Sequence, residues 1–434
     1  MDIATIAPQV PQIPLPRIVQ TGRFMLRPVP FFEQWRRELG ETFGARLVGP
    51  GDVVFISDPP SLKALFSADR VNTIAPGRNI ILRPLLGRQS LLRQEGDEHL
   101  KRRRLMLPPF HGERMRAYEQ TIAEVTAAEV ARWPRGEPFA VHSSMQAITL
   151  EVIMRAVFGV TDPARLEALR ESLVAVLAES GSPAAIGLLL GPVRRLPRYR
   201  RFARHSARAD EELYAEIAER RADPALSERE DILSMLVAAE FDDGTRMEDR
   251  ELRDQLMTLL LAGHETTATA LAWTIDLLLH NTQAHQRLLD ELGSDGDAYL
   301  DAVATESLRI RPVVPMTGRL LRQPMTLGGY ELEAGHVVLV AIYMAHTDSE
   351  TYPDPFAFRP ERFLDGGPDT YSWVPFGGGT RRCIGAAFAQ MELRVALRTI
   401  FESVRLAPAD PRPERMMRRN VTLSPATGTR LLVS

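Results

Sequence analysis

The sequence predicts a mainly helical protein of the α+β class, in which small β-sheets accompany one large helical region. Apolar residues recur at three- and four-residue spacing through much of residues 94–280, as a buried helix face requires. Strand-like stretches occur near the two ends of the chain, around residues 46–56 and 326–341. No internal repeat or low-complexity linker divides the 434 residues. We therefore expect a single domain over residues 1–434.

The first part of the chain contains few regular elements. Four prolines before residue 17 predict an irregular segment over residues 1–20, and a short helix is expected at residues 31–39. Residues 46–48 and 53–56 are typical of strands, and Gly49-Pro50-Gly51 forms the turn between them.

The longest helix is expected from about residue 247 to 280. Residues 326–332 and 336–341 then predict short strands, with Gly328-Gly329 as a turn. The segment 349–382 contains five prolines and predicts loops. A final helix should start after Cys383 and end near residue 403.

Composition and charge exclude several classes of protein. The net charge of −3 and the pI of about 6.4 argue against a nucleic-acid partner. One cysteine excludes an intramolecular disulfide. No stretch reaches the ~18 apolar residues that a membrane span needs, and the N-terminus lacks the features of a signal peptide. We expect a cytoplasmic protein without a membrane anchor.

A glycine-rich segment precedes the only cysteine of the chain, Cys383. Three consecutive glycines at 377–379 allow backbone conformations that side chains prevent, and they let the main chain approach a flat ligand. Cys383 comes just before the final predicted helix, where backbone N–H groups and the helix dipole can lower the pKa of the thiol. Arg381 and Arg382 add positive charge. A thiolate in this position suits a haem iron and leaves the opposite axial site for oxygen.

Other kinds of site fit this segment less well. A lone cysteine is often a small buried apolar side chain, but the glycines and arginines beside Cys383 weigh against that alternative. A dinucleotide-binding loop requires glycine where Arg382 stands. A Walker A loop requires Gly-Lys followed by Ser or Thr, and the segment has no such sequence.

The segment resembles the haem-binding signature of the cytochrome P-450 family, Phe-x-x-Gly-x-Arg-x-Cys-x-Gly. The matching residues are Phe376, Gly379, Arg381, Cys383 and Gly385. The resemblance implies the cytochrome P-450 fold and a bound haem b whose iron is ligated by Cys383. It also implies that Phe376 packs beside the sulfur and that Arg381 meets a haem propionate.

A second motif lies inside the longest predicted helix, at residues 262–267. Gly263 weakens the helix by ~1 kcal/mol relative to alanine, and the following threonines can bond back to backbone carbonyls. A glycine beside an acid and a hydroxyl could give room for dioxygen and a proton path, whereas the alternative is an ordinary helix with a surface acid. The motif resembles the family's Ala/Gly-Gly-x-Asp/Glu-Thr-Thr sequence. This implies that Glu265 and Thr266 deliver the protons needed for oxygen activation.

Further charged residues extend the resemblance. Glu306 and Arg309 stand three apart on a predicted helix, and Pro-Glu-Arg-Phe places Arg362 downstream. Such pairs are usually solvated and weak, but in this family they form a structural network beneath the haem. The resemblance further implies three propionate-binding residues, in line with the general recognition of carboxylates by arginine. These residues are His99, Arg103 and Arg319.

The resemblance implies a monooxygenase that inserts one atom of dioxygen into a small lipophilic substrate, by hydroxylation or epoxidation. The substrate is expected to be a terpenoid, a fatty acid or a steroid-like molecule. Because the sequence contains no flavin or iron–sulfur domain, electrons should come from a ferredoxin and its ferredoxin reductase. Four arginines are either a basic docking patch for that partner or scattered surface charges. They are Arg102, Arg104, Arg382 and Arg398. We expect a monomer.

The substrate pocket is expected to be apolar. By the family topology it includes residues 74–92, where Arg78, Arg83 and Arg88 could anchor a carboxylate, and residues 180–190. Six further lining residues come from the long helix and the C-terminal half of the chain. They are Leu259, Ala262, Gly263, Val313, Val314 and Leu423.

Two other function classes stay open. One is a thiolate-haem sensor or carrier that binds a gas or a lipid without turnover, although such a protein has no need of the Glu265-Thr266 pair. The other is a non-redox enzyme, such as an isomerase or a dehydratase on the same fold. A helical scaffold without haem would require the motifs at Cys383, Glu265 and Glu306 all to be accidental in the correct order.

Overall fold

The computed structural model describes residues 9–434 except 75–85, 111, 113, 160–162, 181–196, 295, 367–369 and 420. This part of the chain is mainly helical. Its helices are α1 (Arg17–Leu26), α2 (Pro28–Leu39), α3 (Pro59–Ser67), α4 (Gly96–Met106), α5 (Arg114–Val130), α6 (Val141–Phe158), α7 (Pro163–Ser180), α8 (Pro197–Ala222), α9 (Ile232–Ala238), α10 (Asp249–Leu279), α11 (Thr282–Leu292), α12 (Ala298–Ile310), α13 (Ile342–His346) and α14 (Ala386–Ser403).

The strands of the described residues form four small sheets. They are β1 (Phe43–Leu47), β2 (Gly51–Ile56), β3 (Thr73–Ile74), β4 (Phe139–Ala140), β5 (Thr317–Leu321), β6 (Met325–Leu327), β7 (Tyr330–Leu332), β8 (Val337–Val340), β9 (Leu406–Pro408), β10 (Met416–Arg419), β11 (Thr422–Pro425) and β12 (Arg430–Val433). The largest sheet has the order β1-β2-β8-β5-β3, with β2 and β8 parallel and the other pairs antiparallel. The remaining sheets are β4-β12-β9 and the hairpins β6-β7 and β10-β11.

The expected mixture of a large helical region and small sheets is confirmed, but the N-terminal expectation is wrong in part. A helix starts at Arg17, inside the segment 1–20 that the prolines marked as irregular. The next helix starts at Pro28 rather than at residue 31, since proline fits the first turn of a helix, where no N–H partner is needed. Residues 1–8 lie outside the described part of the chain. So do most of the pocket residues expected at 74–92 and 180–190, including Arg78 and Arg83.

The longest helix is confirmed as α10, and it runs through the middle of the helical core. It packs against α6, α12, α14 and β11. Every residue from 251 to 260 and from 267 to 279 is buried. A helix that is enclosed on all sides needs apolar residues around its whole circumference, which explains why no single apolar stripe marks it. Among the described helices, none is long and apolar enough to cross a membrane.

Candidate active site

Cys383 lies between a short 3-10 turn, Gly379–Arg381, and the first residue of α14. Its backbone N–H donates to the carbonyl oxygen of Phe376 at 2.9 Å, which closes the loop. Phe376 packs edge-on against Trp373, with ring centroids 6.0 Å apart. The thiol is free and its residue is exposed. The loop therefore presents the sulfur at the N-terminal end of a helix, as the sequence predicts.

The glycines of this loop have a packing reason that the sequence did not show. A Cβ at Gly378 would collide with the ring of Phe66, and a Cβ at Gly379 would collide with the carboxylate of Asp69. Gly379 also has a φ of +63°, which strains any residue with a side chain. The loop thus approaches the end of α3 closely. At Gly385, in contrast, a Cβ would meet no heavy atom within 4 Å.

The environment of Cys383 acts on its pKa in two directions. The protein atoms packed around the sulfur desolvate it and raise the pKa of the thiol, although part of the residue is accessible. The backbone N–H of Gly385 and the guanidinium groups of Arg103 and Arg382 lower it. The expected lowering is therefore present, but it is smaller than the effect of burial. Metal coordination deprotonates a thiol outright, so a bound iron would reverse this balance.

Four of the predicted propionate-binding side chains form a cluster around His99, which is 3% exposed. Burial and the nearby charges of Arg381, Arg103 and Arg319 lower the pKa of His99 to about 3. Burial and the same neighbouring arginines lower the pKa of Arg381 to about 10. The structure therefore brings together residues from α4, from β5 and from the cysteine loop, which are far apart in the sequence.

This cluster holds more positive than negative charge. Asp69 is its buried carboxylate, and it accepts hydrogen bonds from both the Nε and the Nη2 of Arg319. Arg381 donates to the backbone carbonyls of Leu91 and Gln94 rather than to a carboxylate. Arg319 is thus already paired, whereas Arg103 and Arg381 form no ion pair among the described residues. Such half-buried guanidinium groups fit a ligand that brings its own carboxylates. The residues present therefore fit the two propionates of a haem beside Cys383.

Glu306, Arg309 and Arg362 meet as the resemblance implied. The carboxylate of Glu306 accepts two hydrogen bonds from Arg309, at 2.6 and 2.7 Å, and both side chains are fully buried. The Nε of Arg362 lies 3.4 Å from Glu306 Oε1. The backbone N–H of Arg359 donates to the same oxygen at 2.9 Å. This is a buried ionic network, and not the solvated pair that its spacing alone would suggest.

His346 connects this network to the cysteine loop, and sequence reasoning missed it. Its Nδ1 lies 3.1 Å from the carbonyl oxygen of Arg309, and the backbone N–H of Val374 donates to its Nε2 at 2.8 Å. Burial of the ring and the Arg309 charge lower the pKa of His346 to about 3, so the ring is neutral. One tautomer, with the proton on Nδ1, satisfies both bonds.

Beyond its exposed first two residues, the buried helix α10 has one accessible stretch, at residues 261–266. Ala262 is exposed, and Leu261, Gly263, Glu265 and Thr266 are partly exposed, although the residues on both sides of the stretch are buried. The hydroxyl of Thr266 donates to the carbonyl oxygen of Ala262 at 2.5 Å. The Glu-Thr pair thus lies where the central helix borders open space.

Glu265 is held by residues that the sequence did not identify. The amide of Gln146, on α6, donates to its Oε2 at 2.6 Å, and the Nε2 of His142 lies 3.9 Å from its Oε1. Burial raises the pKa of the Glu265 carboxyl, whereas the bond from Gln146 and the charge of Arg419 lower it. A carboxyl with a raised pKa can hold a proton nearer to neutral pH, as a proton donor must.

The six expected pocket residues do not share one environment. A Cβ at Gly263 would lie 3.1 Å from Ile153 Cδ1, so this glycine also allows α10 and α6 to approach each other. Leu423 is fully buried, and its backbone N–H donates to Val313 at 2.8 Å. Leu259 and Val313 are also buried. Ala262, Gly263 and Val314 are the accessible members of the set.

The four arginines considered as a docking patch are not equally available. Arg102 forms ion pairs of 2.5 Å with both Glu98 and Glu251. Arg398 pairs with Asp297 at 2.6 Å and with Glu402 at 3.0 Å. These partners neutralise both charges, so a patch of four free cations is not present. Arg104 and Arg382 are the exposed members of the set.

The comparison with known proteins decides the family. The family model for cytochrome P450 matches residues 8–433. The chain belongs to the cytochrome P450 family. This P450 is accordingly a monooxygenase with a thiolate-ligated haem, as the sequence resemblance implied.

Relatives and solved structures agree with this assignment. The P450 is 42% identical over 429 residues to cytochrome P450 135B1 of Mycobacterium tuberculosis, covering 97% of this chain and 91% of the relative. It is 40% identical over 400 residues to cytochrome P450 137 of the same organism, covering 91% and 83%. It superposes on retinoic acid-bound cyanobacterial CYP120A1 with a TM-score of 0.85 at 25% identity, covering 99% and 100% of the two chains. The heme domain of cytochrome P450DA matches its fold with a TM-score of 0.86 at 23% identity, covering 99% and 98%.

Proposed function

We propose that this P450 hydroxylates or epoxidises a small lipophilic molecule of the terpenoid, fatty-acid or steroid type. The observation that carries the proposal is the accessible stretch at residues 261–266 of α10, where Leu261 and Ala262 are accessible within one helical turn of the Glu265-Thr266 pair. Apolar lining with few polar groups is typical of sites for lipophilic ligands. CYP120A1, which has the same fold, was solved with retinoic acid bound, so a lipophilic carboxylic acid is one member of the proposed class.

The proposed haem site uses the cluster described above. Cys383 would ligate the iron, and His99, Arg103, Arg319 and Arg381 would hold the propionates. When bound, haem supplies the dioxygen chemistry, while the protein supplies access and protons. The buried Glu306–Arg309 pair would keep α12 in place beneath the cysteine loop.

Glu265 and Thr266 are the proposed route for protons. Burial raises the pKa of the Glu265 carboxyl, so this group can take a proton from solvent and release it toward the open space. The Thr266 hydroxyl donates to the Ala262 carbonyl oxygen in this structure. Once the hydroxyl turns away from that oxygen, it would orient the group that accepts the proton. Electrons would come from a ferredoxin and its reductase. A cytoplasmic, monomeric, single-domain enzyme belongs to the same proposal, and the family match over residues 8–433 supports the single domain.

The test replaces Thr266 by alanine and measures product formed per NAD(P)H consumed, with a ferredoxin and its reductase as electron donors. The proposal expects reductant use to continue while the yield of product falls at least about tenfold, as is usual for a lost proton-transfer group. Thr305→Ala is the control, because Thr305 makes the same back-bond, to Asp301, on the surface of another helix. Product formation that continues without any reductant would refute the monooxygenase and favour a non-redox enzyme.

A further inference from the structure

The helix α1 presents an apolar face outwards. Ile18 and Leu26 are 79% and 81% exposed, and Val19 is 41% exposed. Ile18, Gly22 and Leu26 follow one another at four-residue spacing, and Val19 stands seven residues before Leu26, so they share one side of the helix. Gln20 and Phe24, on the other side, are buried. A surface helix ordinarily has mainly polar residues on its outer face, whereas on α1 three large apolar side chains are exposed between Arg17 and Arg23 or next to them.

Neighbouring segments enlarge this apolar surface. Val48, which is 53% exposed, lies beside α1 because the Thr21 hydroxyl accepts a hydrogen bond from its backbone N–H at 2.9 Å. The β10-β11 hairpin is attached through Arg418, which donates to the carbonyl oxygen of Phe24 and lies 5.0 Å above its ring. Met417 and Val421 of this hairpin are 43% and 60% exposed. Together these residues form the α1 patch: Ile18, Val19, Leu26, Val48, Met417 and Val421.

The α1 patch is a concentration and not a random scatter of apolar side chains. Eleven large apolar side chains are exposed among the described residues, and six of them belong to the patch. Single exposed apolar residues are normal on a soluble protein, but a contiguous group indicates a contact surface.

The charge of the α1 segment and of the β10-β11 hairpin is positive, while the β1-β2 hairpin that carries Val48 adds one cation and one anion, Arg46 and Asp52. Residues 17–27 contain three arginines and no acidic residue, and residues 416–425 contain two arginines and no acidic residue. Arg17 donates to the carbonyl of Leu47 and Arg23 to the amide of Gln34, so these bonds leave both charges uncompensated. An amphipathic helix with apolar residues between arginines is the pattern that lies in the interface of an anionic bilayer.

We propose that the α1 patch docks this P450 on the surface of an anionic lipid bilayer, with the apolar side chains among the acyl chains and the arginines at the phosphates. The exposed side of a single helix is convex, so it fits a deformable bilayer better than it fits a rigid partner. A second copy of the chain is a poorer occupant, because a two-fold contact would place the same arginines against each other. The proposal rests on the surface alone and does not depend on the substrate or on the haem.

The test is co-sedimentation of the complete haem-loaded protein with vesicles of equal parts phosphatidylglycerol and phosphatidylcholine, and with vesicles of phosphatidylcholine alone. We expect binding to the anionic vesicles and at least about tenfold weaker binding to the neutral ones. Ile18→Ser/Leu26→Ser and Arg23→Gln/Arg27→Gln should each weaken anionic binding at least about tenfold. The matched control is Val71→Ser/Phe356→Ser, which removes two apolar side chains that are 72% and 61% exposed elsewhere. This control should bind like the original protein.

A second readout is independent of affinity. Leu26→Trp should show a blue-shifted emission on addition of the anionic vesicles, because the new indole enters an apolar layer. Absence of binding by the original protein, or equal loss in the Val71→Ser/Phe356→Ser control, would overturn the proposal. Self-association that Ile18→Ser/Leu26→Ser abolishes, without vesicle binding, would also overturn it and assign the patch to a second copy.

Discussion

Replacing Glu306 by glutamine removes the only carboxylate that contacts Arg309 among the described residues. Both side chains are 0% exposed, and two hydrogen bonds of 2.6 and 2.7 Å join them. Arg309 also donates to the carbonyl oxygens of His346 and Pro355, at 2.7 and 2.8 Å. These neutral acceptors would remain in the variant. The guanidinium would therefore keep its position but lose its counter-charge.

The cost follows from the burial of that charge. Removing one partner of a buried ion pair destabilises a protein by about 3–5 kcal/mol, because the remaining charge stays desolvated and unpaired. The same change at an exposed pair costs only about 0.2–1 kcal/mol. Glu240 offers the matched control, since it accepts two bonds from Arg246, at 3.0 and 2.7 Å, while both side chains are about half exposed.

The assay is urea unfolding of the original protein, Glu306→Gln and Glu240→Gln, followed by circular dichroism and compared at the midpoints. We expect a loss of about 3–5 kcal/mol for Glu306→Gln and below about 1 kcal/mol for the control. If the Glu306→Gln protein does not accumulate, Arg362→Gln replaces it in the test. Its loss of stability should be intermediate, because Arg362 Nε lies 3.4 Å from Glu306 Oε1 and the side chain is partly exposed. Equal losses for Glu306→Gln and Glu240→Gln would refute the buried network.

Two further predictions concern Glu392 and the cysteine loop. Burial raises the pKa of the Glu392 carboxyl to about 8, although a hydrogen bond from Thr267 lowers it. Between pH 4.5, the ordinary pKa of a glutamate, and pH 8, the folded protein therefore holds a proton that the unfolded chain has released. The free energy of unfolding should therefore fall as the pH rises between these values, and Glu392→Gln should remove this loss. In urea unfolding, the stability of the variant relative to the original protein should rise by about 4 kcal/mol between pH ~4.5 and ~9. Parallel curves of stability against pH for the two proteins would contradict this prediction. Gly379→Ala should reduce the haem content of the purified protein far more than Gly377→Ala. Both glycines have a positive φ, but only the Cβ added at Gly379 would collide with Asp69. Equal effects of the two substitutions would show that backbone strain alone matters.

Much of this fold and site could be predicted because its determinants are local in the sequence. The length of α10 follows from a long stretch of the sequence without proline, and the start of α14 follows from the glycines before Cys383. Glu306 and Arg309 are one helical turn apart, so their pairing needs only the helix. The N-terminal helix was missed since its prolines precede it and its outward face is apolar, which disguises the usual pattern of a surface helix.

The remaining site residues could not be predicted because only the tertiary fold brings them together. Asp69 reaches Arg319 across 250 positions, and Gln146 reaches Glu265 across 119. His346 joins α12 to the cysteine loop, yet in the sequence it is an ordinary histidine at the end of a short helix. The close approach of Ile153, on α6, to Gly263 is likewise a tertiary contact that the motif does not show.

The central claim is that Cys383 is the haem ligand of this P450. The most direct test is the absorption spectrum of the dithionite-reduced protein under carbon monoxide, for the original protein and for Cys383→Ser. Thiolate ligation predicts a red-shifted Soret band in the original protein and loss of that band in the variant, because a serine hydroxyl cannot replace a thiolate at the iron. A Soret band that the substitution leaves unchanged, or a purified protein that takes up no haem, would contradict the account.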